Sequence, residues 1–70
     1  MRPVEQFAAN VRARRIAAGL SQEQLSRLTD LHPTEISRIE RAVREPRLST
    51  IVRVARALEI TPSELLERVR

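Results

Sequence analysis

Read only as apolar and polar positions, the chain repeats one pattern five times. Apolar residues recur three and four apart, the period of an α-helix, and no stretch alternates in the manner of a half-buried strand. The first stripe is Val4, Phe7, Ala8 and Val11, on a helix predicted from about Val4 to Ala18, after a frayed Met1–Pro3 end. Leu25 and Leu28 form the apolar face of a second helix, and Ile36 and Ile39 that of a third. Leu48, Ile51, Val54, Ala55 and Leu58 give the inward face of a fourth, beginning at Leu48 or Ser49. Leu65, Leu66 and Val69 mark a fifth, over about 61–69.

The residues between these stripes punctuate helices. Gly19, the only glycine, stands where a helix end needs a left-handed residue. Ser21 and Gln24 form a capping box at the start of the second helix. Thr29-Asp30 breaks that helix, and Pro33 is suited to the first position of the next. Pro46 keeps its predecessor out of the helical region, and Thr61, Pro62 and Glu64 repeat the cap-and-proline start. Short connections and no strand signal make an all-α fold, with residues 1–70 as a single domain.

Two positions interrupt the apolar stripes. Arg15 continues the inward face of the first helix, and Glu40 continues that of the third. An isolated buried charge is very costly. A buried Arg15–Glu40 pair satisfies both; the alternative is that each side chain carries its charged end out to solvent.

The outer side of the third helix carries the candidate chemistry. Thr34, Ser37, Arg38 and Arg41 follow one another at helical spacing as a polar stripe opposite Ile36 and Ile39. A short helix buried on one side, with small polar residues and arginines on the other, suits a DNA major groove. The net charge of +4 favours an anionic partner, and all 13 basic residues are arginine. Arg38 is the best-placed reader, since a guanidinium can engage both acceptors of a guanine, unless it is a solvated surface arginine. Thr34 could meet a thymine methyl or a phosphate, and Ser37 is small enough to permit close approach. Glu35 could accept from a cytosine amino group or simply face solvent. His32 could donate to a phosphate or serve only as a tolerated cap residue.

At this point a family resemblance is plain. SQEQL, LHPTEISRIERA, REPRLSTIVRVARAL and TPSELL together resemble the helix-turn-helix domains of the phage Cro and repressor type, also called the xenobiotic-response-element family. The likeness runs from about Phe7 to Leu66. It implies a compact five-helix, lambda-repressor-like domain with the helix-turn-helix at about 21–41. It also implies a phosphate contact at Gln22, base-facing positions at Pro33, Thr34 and Arg38, and backbone contacts from Arg41 and Arg44. The family's inward Arg and Glu fall on Arg15 and Glu40. Three positions depart from the family pattern. Asp30 and Ala42 stand where glycine is usual, and His32 stands where Ser or Thr usually caps. Asp30 tolerates a left-handed backbone, whereas Ala42 either accepts strain or bends the loop differently.

The expected function is a sequence-specific, double-stranded DNA-binding transcriptional regulator, acting as a homodimer on a near-palindromic operator. The expected dimer surface draws on Leu58, Ile60, Leu65, Leu66 and Val69, some of which must complete the monomer core. The alternative is a protein-interaction module of the same fold, such as an antitoxin or corepressor subunit. The length also fits a stand-alone regulator of the restriction–modification controller kind. An enzyme is not expected: there is no cysteine, one histidine and no glycine-rich phosphate loop, so neither catalytic residues nor a metal or cofactor site are assigned. No apolar run approaches the roughly 20 residues that span a bilayer, and no signal sequence opens the chain. A cytoplasmic location with no membrane contact and no small-molecule ligand is therefore expected.

Overall fold

A computed structural model describes residues 1–70 as five helices and no strand: α1 (Pro3–Ala17), α2 (Gln22–Thr29), α3 (Pro33–Glu40), α4 (Leu48–Ala57) and α5 (Pro62–Leu65). α2 packs on α3 and α4, α1 on α3 and α5, and α4 on α5. The centre is aliphatic apart from Phe7, with Val11, Leu25, Ile36, Val54 and Leu65 wholly out of solvent. Burying each such side chain contributes roughly 1.5–3 kcal/mol relative to leaving it exposed.

The caps behave as their residue types require. Ser21 Oγ accepts from the Gln24 N–H at 3.0 Å, and Gln24 Oε1 accepts from the Ser21 N–H at 2.8 Å. Thr61 and Glu64 repeat the exchange at 3.1 and 3.0 Å. The hydrogen bonds from the Thr61 N–H and hydroxyl hold the Glu64 carboxyl below its ordinary value. His32 caps α3 through its ring, Nδ1 accepting from the Thr34 N–H at 3.1 Å. The N-terminus is not frayed up to Pro3: that residue opens α1, and the Arg2 N–H donates to Glu5 Oε1 at 2.8 Å.

Four residues without glycine's freedom take left-handed backbone: Asp30, Ala42, Glu59 and Arg68, at φ 60°, 56°, 57° and 65°. Gly19 does the same at 72°. Asp30 ends α2, and Ala42 accepts the strain that its position after α3 imposes.

The inward faces differ from the apolar pattern at three places. Leu28 is 59% exposed, while Ser26 and Thr29 are buried. With about 100° between successive residues, the core-facing line of α2 falls between Leu25 and Thr29, leaving Leu28 on its flank. The buried hydroxyls are satisfied locally: Thr29 donates to the carbonyl of Leu25 at 2.8 Å, and Ser26 to that of Leu31. Leu48 is 75% exposed. It is the first residue of α4, and side chains tilt toward a helix N-terminus, so it projects past the end of the core. The fifth helix stops at Leu65 instead of continuing to 69, and the chain turns back through Arg68. Asn10 holds that turn, its Nδ2 donating to the carbonyls of Leu65 at 2.9 Å and Glu67 at 2.7 Å.

α1 and α3 are joined by charge as well as by packing. Arg15 Nε donates to Glu40 Oε2 at 2.7 Å and its NH2 to Oε1 at 3.0 Å, while NH1 donates to the carbonyl of Leu20 at 2.8 Å. Only 12% and 3% of the two side chains remain exposed. The hydrogen bonds to Glu40 raise the Arg15 pKa further, against the opposing effect of burial.

Arg15→Ala should lower stability by roughly 3–5 kcal/mol, because the Glu40 charge is left buried and unpaired; a melt within a few degrees of the parent is inconsistent with such a pair. Ala42→Gly relieves a left-handed strain of about 1–2 kcal/mol at an entropic cost of about 0.4–1 kcal/mol. Denaturant titration should therefore show it more stable by about 0.5–1 kcal/mol, and a loss of stability would refute the strain argument.

Candidate nucleic-acid interface

Helix α3 is held from behind and open in front. Ile36 and Ile39 are buried and Glu40 is locked to Arg15, which fixes the helix's rotation about its axis. Pro33, Thr34, Arg38 and Arg41 are left exposed, with Ser37 half-buried among them. Eight residues span about 12 Å, close to the width of a B-DNA major groove.

One groove gathers most of the charged candidates. About 420 Å³ in volume, it runs between the start of α3 and the loop leading to α4, lined by His32, Glu35, Arg38, Arg44, Arg47 and Thr50 among others. His32, Arg38 and Arg44 thus share a surface although they are 12 residues apart in sequence from first to last. Arg47, not among the primary candidates, stands with them at the N-cap of α4. Its place beside Pro46 in a basic loop was the available signal.

Acidic groups moderate this surface. Arg38 lies 4.0 Å from Glu35, one turn back on α3, with each side chain nearly half exposed. Such a contact contributes little stability but limits where the free guanidinium sits. Asp30 and Glu45 also border the groove. With Nδ1 engaged by the Thr34 N–H, the neutral His32 ring carries its proton on Nε2, which is thereby available to donate outward.

Gln22 lies at a separate point, as the first residue of α2. Its side chain is half-buried, and Nε2 donates to Glu40 Oε1 at 3.2 Å. The start of α2 is thereby tied to the end of α3, and the first-turn amides of α2 remain the anion-attracting end of that helix. Arg41 is exposed at the C-cap of α3.

The five apolar residues proposed for pairing separate into two groups. Leu58 and Leu65, 8% and 0% exposed, complete the core of the monomer and have no surface to offer a partner. Ile60, Leu66 and Val69 are half-buried against the same core. No cluster of metal-ligating side chains is present, and no helix is long and apolar enough to cross a membrane.

Comparison with known proteins places this geometry in a family context. The helix-turn-helix family model HTH_3 matches residues 11–65. The chain is 44% identical over 64 residues to control protein C.SmaI of Serratia marcescens, covering 91% of this chain and 76% of that one. It is 40% identical over 62 residues to control protein C.BamHI of Bacillus amyloliquefaciens, covering 87% and 76%. The crystal structure of the restriction–modification controller protein C.AhdI from Aeromonas hydrophila superposes with a TM-score of 0.86 at 39% identity, covering 89% of this chain and 94% of that one.

Proposed function

The chain belongs to the HTH_3 helix-turn-helix family, and from that premise we propose that it regulates transcription as a homodimer reading a near-palindromic operator. The observation that carries this reading is the outer face of α3: Thr34, Arg38 and Arg41 are exposed on a helix whose reverse side is fixed in the core. In this reading α3 enters the major groove, and Pro33, Thr34, Ser37 and Arg38 meet base edges. Gln22, His32, Arg41 and Arg44 hold the phosphates on either side. The likeness to C.SmaI, C.BamHI and C.AhdI supports a role as a small controller protein of the restriction–modification kind.

Size argues for two copies. The domain measures 29 × 22 × 21 Å, shorter in every direction than one turn of B-DNA, about 34 Å. A single α3 covers only a few base pairs, too little information to find a site within a genome. The pairing surface we favour is Ile60, Leu66 and Val69, beside α5. Val43, in the loop after α3, and Leu48, at the start of α4, offer exposed apolar area elsewhere.

Selecting duplexes from a random pool should yield a two-fold-related motif. On the selected site, Arg38→Ala should lose roughly 1–3 kcal/mol and relax preference at one base pair per half-site. Arg44→Ala should weaken all sequences alike and reduce the salt slope by about one. Identical specificity profiles for the two variants would contradict this division between reader and anchor.

Sedimentation at micromolar concentration should give twice the 8.0 kDa chain mass. Leu66→Arg should shift the protein toward monomer and weaken operator binding, while Leu48→Arg should leave the dimer intact. If Leu48→Arg is instead the variant that dissociates, pairing runs through the start of α4.

A further inference from the structure

Glu40 has a second polar partner beyond its ion pair. Its Oε2 accepts from Arg15 Nε, and its Oε1 accepts from both Arg15 NH2 and Gln22 Nε2, at 3.0 and 3.2 Å. The carboxylate is thus a junction between the buried pair and the first residue of α2. We propose that Glu40 is a positioning residue for Gln22, turning the amide end of that side chain toward the DNA backbone.

The two ends of a carboxamide have the same shape and opposite hydrogen-bonding character, one donating and one accepting. An exposed glutamine samples both orientations. Beside Glu40 only one is comfortable, because an ionised carboxylate accepts and never donates. Reversing Gln22 would set oxygen against oxygen. One Nε2 proton is therefore spent on Glu40, and the other remains for a phosphate oxygen. Glu40 does this without repelling that phosphate, since the guanidinium of Arg15 offsets its charge at 2.7 Å. With 3% of its side chain exposed, Glu40 does not itself reach the nucleic acid. The inference rests on the DNA-binding reading and concerns only how one backbone contact is prepared.

The test is a double-mutant cycle on the duplex selected from the random pool, at fixed salt and below the melting temperature of every variant. Gln22→Ala in the parent should weaken binding about tenfold, the loss of one hydrogen bond to a charged group. In a Glu40→Gln background the amide at position 40 can donate to the Gln22 oxygen, so the Gln22 side chain can turn around. There, Gln22→Ala should change affinity by less than about twofold. A Glu40 that acts only on folding leaves the ratio near tenfold, and one that acts only by fixing the rotation of α3 reduces the effect of Arg38→Ala in the Glu40→Gln background as well; either result overturns the proposal, which expects the Arg38→Ala effect to be unchanged. No effect of Gln22→Ala in the parent overturns it as well, while DNA binding by the parent leaves the broader reading standing. A parent that selects no duplex removes both. Should Glu40→Gln fail to fold, exchange of the Gln22 carboxamide protons in the free parent decides. Exchange slower than that of Gln24, whose carboxamide uses only its oxygen, supports the proposal, and equal rates reject it.

Discussion

A carboxylate and a guanidinium sealed between α1 and α3 set the terms for the rest of this domain. An eight-residue helix is marginal on its own in water, so α3 exists only as far as the core holds it. Ile36 and Ile39 supply that hold but are tolerant of small rotations, because apolar contact is non-directional. The bidentate Arg15–Glu40 contact is directional. A buried ion pair is weak evidence of net stability, since desolvation offsets most of its attraction. Its effect here is selective: rotating α3 strands two charges, so only one outer face can be presented.

The connections achieve sharp reversals with few special residues. One glycine serves 70 positions, and four further left-handed turns are made by Asp30, Ala42, Glu59 and Arg68. At Ala42, Glu59 and Arg68 this carries a backbone cost of about 1–2 kcal/mol, sustained by the surrounding helix ends. After α3 the Val43 N–H bonds back to the carbonyl of Arg38, and after α4 the Ile60 N–H bonds to that of Ala55. These bonds close helix ends that would otherwise leave carbonyls without partners.

The number of helices, their order and most of their starts could be read from the residues alone, because caps and prolines act over three or four positions. Arg15 and Glu40 were legible for a related reason: a charge on an apolar stripe demands an explanation. The errors arose where distant parts of the chain decide. Periodicity cannot tell that Leu48 overhangs the core, or that Ser26 and Thr29 displace Leu28, Thr29 bonding back to Leu25 in its own helix and Ser26 forward to Leu31 beyond it. Nor could it foresee Asn10 ending α5 from 55 residues away. On the candidate interface, spacing put Thr34, Ser37, Arg38 and Arg41 on one stripe, but only the folded chain brings Arg44 and Arg47 beside Arg38. Imidazole is an uncommon cap, and only the folded position of the His32 ring shows that its Nδ1 accepts from the Thr34 N–H.

Asn10 also joins parts of the molecule that are remote in sequence. Its carboxamide receives a hydrogen bond from Gln6 while donating to the last carbonyls of α5 and the turn beyond. The C-terminal turn is consequently a ward of α1, remote in sequence, as much as of α4, its neighbour. The segment that carries Leu66 and Val69 is therefore held in place by the beginning of the chain, through hydrogen bonds to Asn10 and through packing on the same core.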